Sequence, residues 1–485
     1  MHIHILGICG SFMGGLAALA REAGHRVTGC DSGVYPPMSD QLRELDIELI
    51  EGFGEQQISL RPDLFVVGNV VSRARLADGT PKFPLMEAIL DAGWPYTSGP
   101  QWLCEHILHG RHVIAVAGTH GKTTTTAMIA WILECAGRHP GFLVGGVPLN
   151  FGISARLGSP ATHALAGAAP GSDARALFVI EADEYDTAFF DKRSKFVHYR
   201  PRTAVLNNLE FDHADIFDDL AAIERQFHHL VRTVPGAGAN GSGRIVVNAL
   251  EESLARVLHA GCWSEIRSFG AAVSDFTATG EPHEFDVFCQ GRPAGHVKWA
   301  LTGAHNQLNA LAAIAASEHV GVLSEAAAAA LGRFKNVKRR MEVCGSVSTP
   351  GGPITVYDDF AHHPTAIRST IDGLRRKLEP GARILAAFEP RSNTMKLGTM
   401  KAQLPWSLEH ADLAFCHSAG LDWDAGLALA AIADKAQVAN NIDELVAQIA
   451  AHARGGDHIL CMSNGSFGGV HRRLLQALKR VRDAP

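Results

Sequence analysis

The chain has 485 residues and a formal net charge of −6, with 44 lysines and arginines against 50 aspartates and glutamates. At about 150 residues per domain this length predicts roughly three domains, and the near balance of charges argues against a nucleic-acid coat. Apolar residues make up 46% of the chain and charged residues 19%, a composition that argues against extended disorder and against a membrane-embedded protein.

Cysteine placement and the first apolar stretch indicate the compartment. The nine cysteines are scattered and form no Cys-x-x-Cys pair, so neither a disulfide framework nor a structural zinc site is predicted. The apolar stretch at residues 5–20 is interrupted by glycines and has no basic leader, which favours a strand, a loop and a helix over a signal peptide. We therefore expect a cytoplasmic protein that binds neither nucleic acid nor membrane.

Alternation of apolar strands with helical segments predicts an α/β fold of three domains, which we place at residues 1–109, 110–334 and 335–485. The first domain begins with a strand at residues 3–6, a glycine-rich turn and a helix at residues 16–23. Such a unit is typical of a doubly wound, mainly parallel sheet.

The first glycine-rich turn predicts a diphosphate site. It departs from the Gly-x-Gly-x-x-Gly pattern of dinucleotide-binding folds at Cys9 and Phe12, so a nicotinamide-dependent oxidoreductase is the least favoured function. A diphosphate at the helix N-terminus tolerates these changes, because backbone N–H groups bind it. Asp31 ends the second predicted strand, about where a ribose-binding acid belongs.

A stronger phosphate-binding pattern follows the strand predicted at residues 113–117. The sequence GTHGKTT at residues 118–124 lies between this strand and a helix, so backbone N–H groups and the helix dipole can hold phosphates. Lys122 is expected to reach the β- and γ-phosphates, and Thr123 to bind Mg²⁺. The first glycine of the longer P-loop pattern is replaced by Val116, and a glycine-rich turn without nucleotide is the alternative.

Polar clusters follow two further strands of this domain. Glu181 comes directly after the apolar residues 177–180, and we predict that it positions the metal; a solvated acidic loop is the alternative. His213 follows the strand at residues 204–206 and is the candidate for a second metal. A single histidine among 25 is more often structural, so this assignment depends on its setting.

Two other clusters have open interpretations. His305 and Asn306 begin a predicted helix, where they contact a base or cap the helix. The sequence YDDFAHHP at residues 357–364 follows another apolar strand. Its Asp and His side chains favour a ligand-facing loop over a metal site, because no further ligand follows at helical spacing.

These motifs occur in the order found in the Mur ligases, and the chain resembles that family over essentially its whole length. The motifs that carry the resemblance are residues 118–124, residues 181–184, Asp212-His213, His305-Asn306, Arg340 and Asp358-Asp359. The glycine-rich turn and residues 359–364 are similar to the branch that activates a muramate carboxylate. Within that branch, the chain most resembles the tripeptide-accepting members, and the segments that carry this resemblance are residues 35–39, 185–196, 389–395 and 462–469.

The resemblance implies an ADP-forming ligase that joins L-alanyl-γ-D-glutamyl-meso-diaminopimelate to UDP-N-acetylmuramate during recycling of murein peptide. ATP, the co-substrate, phosphorylates the muramate carboxylate, and the peptide amine attacks the acyl phosphate; Mg²⁺ is the implied cofactor. The implied architecture is a Rossmann-like UDP-binding domain, a central P-loop ATPase domain and a Rossmann-like peptide-binding domain. The alternatives are an L-alanine ligase of the same branch and a P-loop switch without ligase chemistry.

The resemblance also implies the site residues. Catalysis and metal binding fall to Lys122, Thr123, Glu181 and His213. The ATP-binding set is Gly118, Thr119, His120, Gly121, Lys122, Thr123, Thr124, His305, Asn306, Asn309, Arg340 and Asp359. The UDP-sugar set is Gly7, Gly10, Gly14, Asp31 and Ser98, and the peptide set is Arg391, Ser392, Asn393, Thr394 and Asn464.

Two basic features have competing interpretations. Arg391 follows the predicted strand at residues 383–388, where its guanidinium fork suits a tripeptide carboxylate; an ion pair with Glu389 is the alternative. The basic residues within 192–195 either attract acidic substrates or form a solvated face. Several sister ligases carry a carbamylated lysine after the metal-binding histidine, whereas no lysine occurs here between Lys195 and Lys298.

Overall fold

The computed structural model describes residues 1–34, 38–160, 175–238 and 243–483. Residues 35–37, which belong to one of the segments that resemble the tripeptide-accepting ligases, lie outside the described residues. The chain forms two compact units. The first unit contains Met1–Glu210, Leu220–Trp299 and Leu308–Val337, and the second contains Phe211–Asp219, Ala300–Gln307 and the chain from Lys338 onward. The domain boundaries at residues 109 and 334 stay predictions.

The N-terminal part of the first unit is a parallel sheet of five strands in the order β3-β2-β1-β4-β5. The strands are β1 (His2–Leu6), β2 (Arg26–Asp31), β3 (Glu48–Glu51), β4 (Leu64–Val67) and β5 (Tyr96–Ser98). The helices are α1 (Ser11–Glu22), α2 (Met38–Glu44), α3 (Pro84–Asp91) and α4 (Gly99–Leu103). The predicted β-loop-α start is confirmed.

Helix α1 begins earlier than predicted, at Ser11 rather than Leu16, so Gly14 and Gly15 lie inside the helix. A Cβ on Gly14 would lie 2.5 Å from the sulfur of Met38, and one on Gly15 would collide with Leu143. These two glycines therefore permit close packing of α1 against its neighbours. The sequence analysis placed both glycines in the glycine-rich turn. That prediction was wrong, because the sequence does not show which side chains pack against them.

The second sheet of the first unit has ten strands in the order β17-β16-β15-β14-β13-β12-β6-β9-β7-β8, and β10 and β11 form a separate hairpin. The strands are β6 (His112–Ala117), β7 (Gly141–Leu143), β8 (Ala155–Arg156), β9 (Leu177–Ala182), β10 (Asp186–Ala188), β11 (Asp191–Ser194), β12 (Thr203–Leu206), β13 (Arg244–Asn248), β14 (Glu265–Phe269), β15 (Phe276–Glu281), β16 (Glu284–Cys289) and β17 (Arg292–Lys298). The helices are α5 (Lys122–Cys135), α6 (Leu220–Thr233), α7 (Glu252–His259), α8 (Ala304–Glu318) and α9 (Ser324–Leu331).

Strand β6 sits at the centre of this sheet and pairs in parallel with β9 on one side and β12 on the other. Every residue of β6 is buried, as its continuous apolar sequence predicts for a parallel sheet covered on both faces. Because parallel strands end at the same edge, the residues that follow β6, β9 and β12 meet there. That edge carries the loop at residues 118–121, called the phosphate-binding loop after its predicted role, and the acidic residues at the end of β9.

The second unit is built on a six-stranded sheet in the order β18-β19-β23-β20-β21-β22, antiparallel at β18 and otherwise parallel. The strands are β18 (Glu342–Val347), β19 (Ile354–Asp359), β20 (Ile384–Phe388), β21 (Leu413–His417), β22 (Ala436–Ala439) and β23 (His458–Met462). The helices are α10 (Pro364–Lys377), α11 (Asn393–Lys396), α12 (Leu404–Ser407), α13 (Ala425–Ala428), α14 (Ile442–His452) and α15 (Val470–Asp483). Two apolar clusters cover the sheet.

The four strands predicted for this unit are confirmed as β19, β20, β21 and β23. Across the described part of the chain, no helix is both long enough and apolar enough to span a membrane. Residues 239–242 of the glycine-rich segment after α6 lie outside the described residues.

Candidate active site

The phosphate-binding loop joins β6 to α5 and depends on two glycines with positive φ. Gly118 has φ +147° and Gly121 has φ +78°, conformations that other residues rarely adopt. A Cβ on Gly121 would lie 2.5 Å from the side-chain oxygen of Asn309, and one on Gly118 would lie 3.0 Å from Asn207. The glycines therefore let the loop pass close to neighbouring side chains at the start of α5.

Asn208, directly after β12, holds this loop in place. Its side-chain oxygen accepts a hydrogen bond from the N–H of His120 at 2.7 Å, and its amide donates to the carbonyl of His120 at 3.1 Å. The hydroxyl of Thr119 accepts from the N–H of Glu210 at 2.9 Å. Sequence reasoning did not single out Asn208. The sequence does place Asn208 after a predicted strand. Only the strand order shows that this strand, β12, lies beside β6.

Lys122 is the first residue of α5, and its ammonium is held by carboxylates. Its Nζ lies 3.0 Å from Oε2 of Glu184 and 2.6 Å from the carbonyl of Gly118. Burial alone would lower the pKa of Lys122, but Glu184, Asp183 and Glu181 outweigh it and raise the pKa above its usual value. Lys122 is therefore a fixed cation at the loop. Glu184 is the partner that sequence reasoning missed, because it favoured Glu181 in the same cluster.

Thr123 and Glu181 meet at the same edge, as the sequence predicts for a metal site. The Thr123 hydroxyl donates to Oε1 of Glu181 at 3.1 Å, and the N–H of Gly145 donates to its Oε2 at 2.8 Å. A hydroxyl beside a carboxylate offers the oxygen ligands that Mg²⁺ prefers. These residues therefore fit a magnesium ion. His213 belongs to the second unit and is described there.

The basic residues 192–195 do not form a free cationic face. The side chains of Lys192, Arg193 and Lys195 each pair with a carboxylate at 2.6 Å, and the partners are Asp186, Asp191 and Asp183. Lys192 and Arg193 are exposed and Lys195 is buried. Pairing neutralises the charge that would attract acidic substrates. Lys192 and Arg193 therefore fit the interpretation as a solvated face. The buried Lys195 fits neither a solvated face nor a group that attracts acidic substrates.

The first glycine-rich turn is braced by Asp31. The carboxylate accepts the N–H of Cys9 at 2.9 Å and that of Gly33 at 3.4 Å. Gly7 has φ +82°, and Gly10 is the N-cap residue of α1. Ser98 is buried and caps α4 by accepting the N–H of Gln101. The turn thus places the N-terminus of α1 where a diphosphate is predicted.

In the second unit, His213 lies on a loop that is fixed by Asp212. His213 has a left-handed φ of +55°, and its N–H donates to Oδ1 of Asp212 at 2.7 Å. The hydroxyl of Thr394 donates to the same oxygen at 2.7 Å. Burial raises the pKa of Asp212, but His213, the Thr394 hydrogen bond, His362 and His363 lower it below its usual range. Asp212 is therefore an ionised anchor for this loop.

The predicted peptide residues after β20 divide into two groups. Ser392 caps α11, and the amide of Asn393 donates to Asp215 at 2.7 Å. Together with Thr394, these side chains position their own loops. Arg391 is exposed and forms no hydrogen bond or ion pair with another described residue, so the pairing with Glu389 is not observed.

Asn464 adds a second polar group, next to the glycine that Arg391 packs against. Its side-chain oxygen is buried, and no described residue donates a hydrogen bond to it. The guanidinium of Arg391 lies against the neighbouring Gly465, where a Cβ would collide with it. A buried acceptor without a donor is costly in a folded protein. Arg391 therefore offers an exposed donor to a ligand, and the nearby Asn464 oxygen is a buried acceptor with no donor among the described residues.

Four of the predicted ATP residues belong to the second unit: His305, Asn306, Arg340 and Asp359. Asp359 is buried and accepts the N–H groups of Met341 and Ala361, both at 2.8 Å. Burial raises the pKa of Asp359, and the charge of Arg340 opposes this shift. The amide of Asn306 donates to the carbonyl of Thr302 at 2.7 Å, just before α8. A helix cap accepts an N–H instead, so the base-contact and capping interpretations both stay predictions.

Comparison with known proteins gives a consistent result along the chain. Three family models match: Mur ligase family, catalytic domain, at residues 2–111; Mur ligase middle domain, at 116–317; and Mur ligase, glutamate ligase domain, at 339–465. The UDP-N-acetylmuramate–L-alanyl-gamma-D-glutamyl-meso-2,6-diaminoheptandioate ligase of Escherichia coli (strain K12) is 50% identical over 488 residues, covering 100% of both chains.

Two further proteins show the range of this similarity. A murein peptide ligase from Psychrobacter arcticus 273-4 is 46% identical, with a TM-score of 0.75, covering 99% of this chain and 98% of that one. A UDP-N-acetylmuramate–L-alanine ligase from Syntrophomonas wolfei is 29% identical over 491 residues, covering 98% of this chain and 97% of its own. With full-length identity of 50% and all three domain types in order, the chain belongs to the Mur ligase family.

Proposed function

We propose that this chain is an ADP-forming ligase that joins L-alanyl-γ-D-glutamyl-meso-diaminopimelate to UDP-N-acetylmuramate at the expense of ATP. The observation that carries the proposal is the full-length identity of 50% to the Escherichia coli ligase named for this reaction. Identity to the L-alanine ligase of Syntrophomonas wolfei is lower, at 29%. The reaction belongs to recycling of cell-wall peptide.

The chemistry requires a site that concentrates positive charge. A carboxylate is a poor acyl donor, and it must approach the γ-phosphate although both are negative. Lys122 supplies a fixed ammonium at the phosphate-binding loop, held by Glu184 until phosphate oxygens compete for it. The N–H groups at the start of α5 supply further donors. These features support phosphoryl transfer to the muramate carboxylate.

Thr123 and Glu181 are the residues that would hold Mg²⁺ beside the phosphates, with His213 as the proposed ligand of a second ion. Mg²⁺ supplies positive charge that offsets the charge of the transferring phosphoryl group. The Glu181 carboxylate is fixed by the N–H of Gly145, so it does not have to reorganise to bind a cation. Thr119, His120 and Asn208 keep the loop in one geometry.

The remaining substrates are assigned to the other predicted sites. The UDP-sugar diphosphate is proposed at the N-terminus of α1, with Gly7, Gly10, Gly14, Asp31 and Ser98 as the surrounding residues. The tripeptide is proposed beyond the carboxyl ends of β20 and β23, where Arg391 forms no hydrogen bond or ion pair with another described residue. We place the activity in the cytoplasm; the nine free thiols fit a reducing compartment.

An omission experiment tests the ligase assignment. ADP release is measured with ATP, Mg²⁺, UDP-N-acetylmuramate and tripeptide, and then with each component left out. We expect sustained ADP release only in the complete mixture, because the acyl phosphate is consumed by the peptide amine. A nucleotide switch would hydrolyse ATP without UDP-N-acetylmuramate, and that result would exclude the ligase.

Arg391→Ala is expected to raise the KM for tripeptide by about tenfold or more, with little change in the KM for ATP or UDP-N-acetylmuramate. The physical reason is that one carboxylate of the tripeptide loses its bidentate donor. Arg376→Ala, on α10 in the same unit, is the matched control for loss of an arginine. Steady-state kinetics with each substrate varied in turn decide the matter: an unchanged tripeptide KM in a folded variant removes Arg391 from the site.

A further inference from the structure

One guanidinium binds two carbonyl groups of the turn at residues 463–465, which follows β23. Nη2 of Arg339 donates to the carbonyl of Ser463 at 2.8 Å and to that of Gly465 at 2.7 Å. Nε of the same side chain donates to Oδ2 of Asp358 at 2.9 Å. Arg339 therefore ties the carboxyl end of β19 to the turn after β23.

Arg339 is itself fixed from several directions. It has a left-handed φ of +61°, a costly conformation for a residue other than glycine that persists only when surrounding contacts enforce it. Its N–H donates to Glu342 at 2.8 Å, and its carbonyl accepts the N–H of Phe360 at 2.9 Å. The second oxygen of Asp358 lies 3.3 Å from Nε2 of His471. These contacts together fix the orientation of the Arg339 guanidinium.

The 463–465 turn carries one group of the proposed acceptor site, Asn464, and packs against the other, Arg391. The Arg391 guanidinium packs against Gly465, and the buried side-chain oxygen of Asn464 has no donor among the described residues. The Ser463 hydroxyl accepts the N–H of Gly465 at 2.9 Å and donates to Glu389 at 2.6 Å. A shift of this turn would therefore move Asn464 and remove the surface that supports Arg391.

We propose that Arg339 is a positioning residue for recognition of the acceptor peptide: it fixes the 463–465 turn and thereby sets the geometry of Asn464 and Arg391. This inference rests on the proposed function, because it takes Arg391 and Asn464 as contacts of the tripeptide. Arg339 touches no substrate in this account. Its effect passes through the two carbonyl groups that it binds.

The first test is Arg339→Ala. We expect the KM for tripeptide to rise by about tenfold, while the KM values for ATP and UDP-N-acetylmuramate stay near those of the wild type. Arg339→Lys should recover only part of the loss, because one ammonium cannot reproduce the planar fork that spans two carbonyls and a carboxylate. An equal rise in the KM for ATP would overturn the proposal.

Arg375→Ala is the matched control. Arg375 also joins two loop carbonyls and a carboxylate in the second unit, those of Ala382, His410 and Asp412, but it does not touch the 463–465 turn. Hydrogen exchange of the peptide that covers residues 463–466 should accelerate in Arg339→Ala and not in Arg375→Ala. Unchanged exchange in Arg339→Ala would contradict the proposal.

A second variant keeps the inference testable if Arg339→Ala does not fold. Gly465→Ala retains the carbonyl groups that Arg339 binds and adds a methyl group where the Arg391 guanidinium lies. Gly465 does not have a positive φ, so alanine fits its backbone. We expect the same selective rise in the tripeptide KM, and an unchanged value would show that the turn does not support Arg391.

The double variant Arg339→Ala/Arg391→Ala separates this inference from the proposed function. If Arg339 acts through Arg391 alone, the double variant has the tripeptide KM of Arg391→Ala. If the KM of the double variant is higher than that of Arg391→Ala, but by less than the effect of Arg339→Ala alone, the difference reports the contribution of Asn464. Fully additive effects would overturn the positioning role. If Arg391→Ala alone leaves the tripeptide KM unchanged, the proposed acceptor site fails, and hydrogen exchange still reports whether Arg339 fixes the turn.

Discussion

Lys122→Ala is expected to lower ligase turnover by about 10³-fold or more. The ammonium is the fixed positive charge of the phosphate-binding loop, and removal of one preorganised charge-stabilising group commonly costs about 10²–10³-fold. A substitution in a glycine-rich loop would be expected to leave the fold intact, since it removes little core. The structure changes that expectation, because Lys122 pairs with Glu184, whose side chain is only 2% exposed.

Leaving a buried carboxylate without its partner costs about 3–5 kcal/mol of stability. The double variant Lys122→Ala/Glu184→Gln removes this cost by making the partner neutral, and it should fold as the wild type does while staying inactive. Lys298→Ala, which breaks an exposed ion pair with Glu284 in the same unit, is the control and should be active. Thermal unfolding and single-turnover kinetics provide the two readouts; near-normal turnover in a folded Lys122 variant would refute the assignment.

Glu181→Gln and His213→Ala are expected to impair metal-dependent catalysis more than binding of UDP-N-acetylmuramate. Each removes a proposed metal ligand, so the Mg²⁺ concentration for half-maximal activity should rise by about tenfold or more. The neutral glutamine still accepts the N–H of Gly145, so Glu181→Gln tests the charge and not the loop geometry. The UDP-sugar is assigned to the first sheet and should bind as before.

Mg²⁺ titration of activity and direct measurement of UDP-N-acetylmuramate binding separate these effects. Glu265→Gln provides a control carboxylate in the same sheet, where it pairs with Arg244 away from the loop. Equal losses of sugar binding in both variants, together with an unchanged Mg²⁺ requirement, would contradict the metal assignment.

Features that depend on local pattern were predictable from the sequence. The strands β6, β9 and β12 read as continuous apolar runs, and the GTHGKTT sequence identified the loop between β6 and α5. Thr123 and Glu181, which lie 58 residues apart, were also paired in the prediction, because both were placed at the carboxyl ends of strands of one parallel sheet. Chemistry that resides at strand ends can be anticipated once the strands are found.

Partners set by strand order and by packing were not predictable. Asn208 holds a loop 88 residues away because β12 lies beside β6, and the sequence does not state that order. Thr394 was expected to contact peptide, yet its hydroxyl donates to Asp212, 182 residues earlier in the chain. Glu184 and Glu181 share one acidic cluster, and only the path of the chain after β9 decides which of them faces Lys122.

The acceptor comparison tests the central claim most directly. The enzyme is supplied with ATP, Mg²⁺ and UDP-N-acetylmuramate, and with either the tripeptide or L-alanine as the sole amine, and the product is identified by mass. We predict that kcat/KM for L-alanyl-γ-D-glutamyl-meso-diaminopimelate exceeds that for L-alanine by about 10²-fold or more, because L-alanine lacks the glutamyl and diaminopimelyl carboxylates, one of which Arg391 is proposed to bind. Equal or faster ligation of L-alanine would contradict the account.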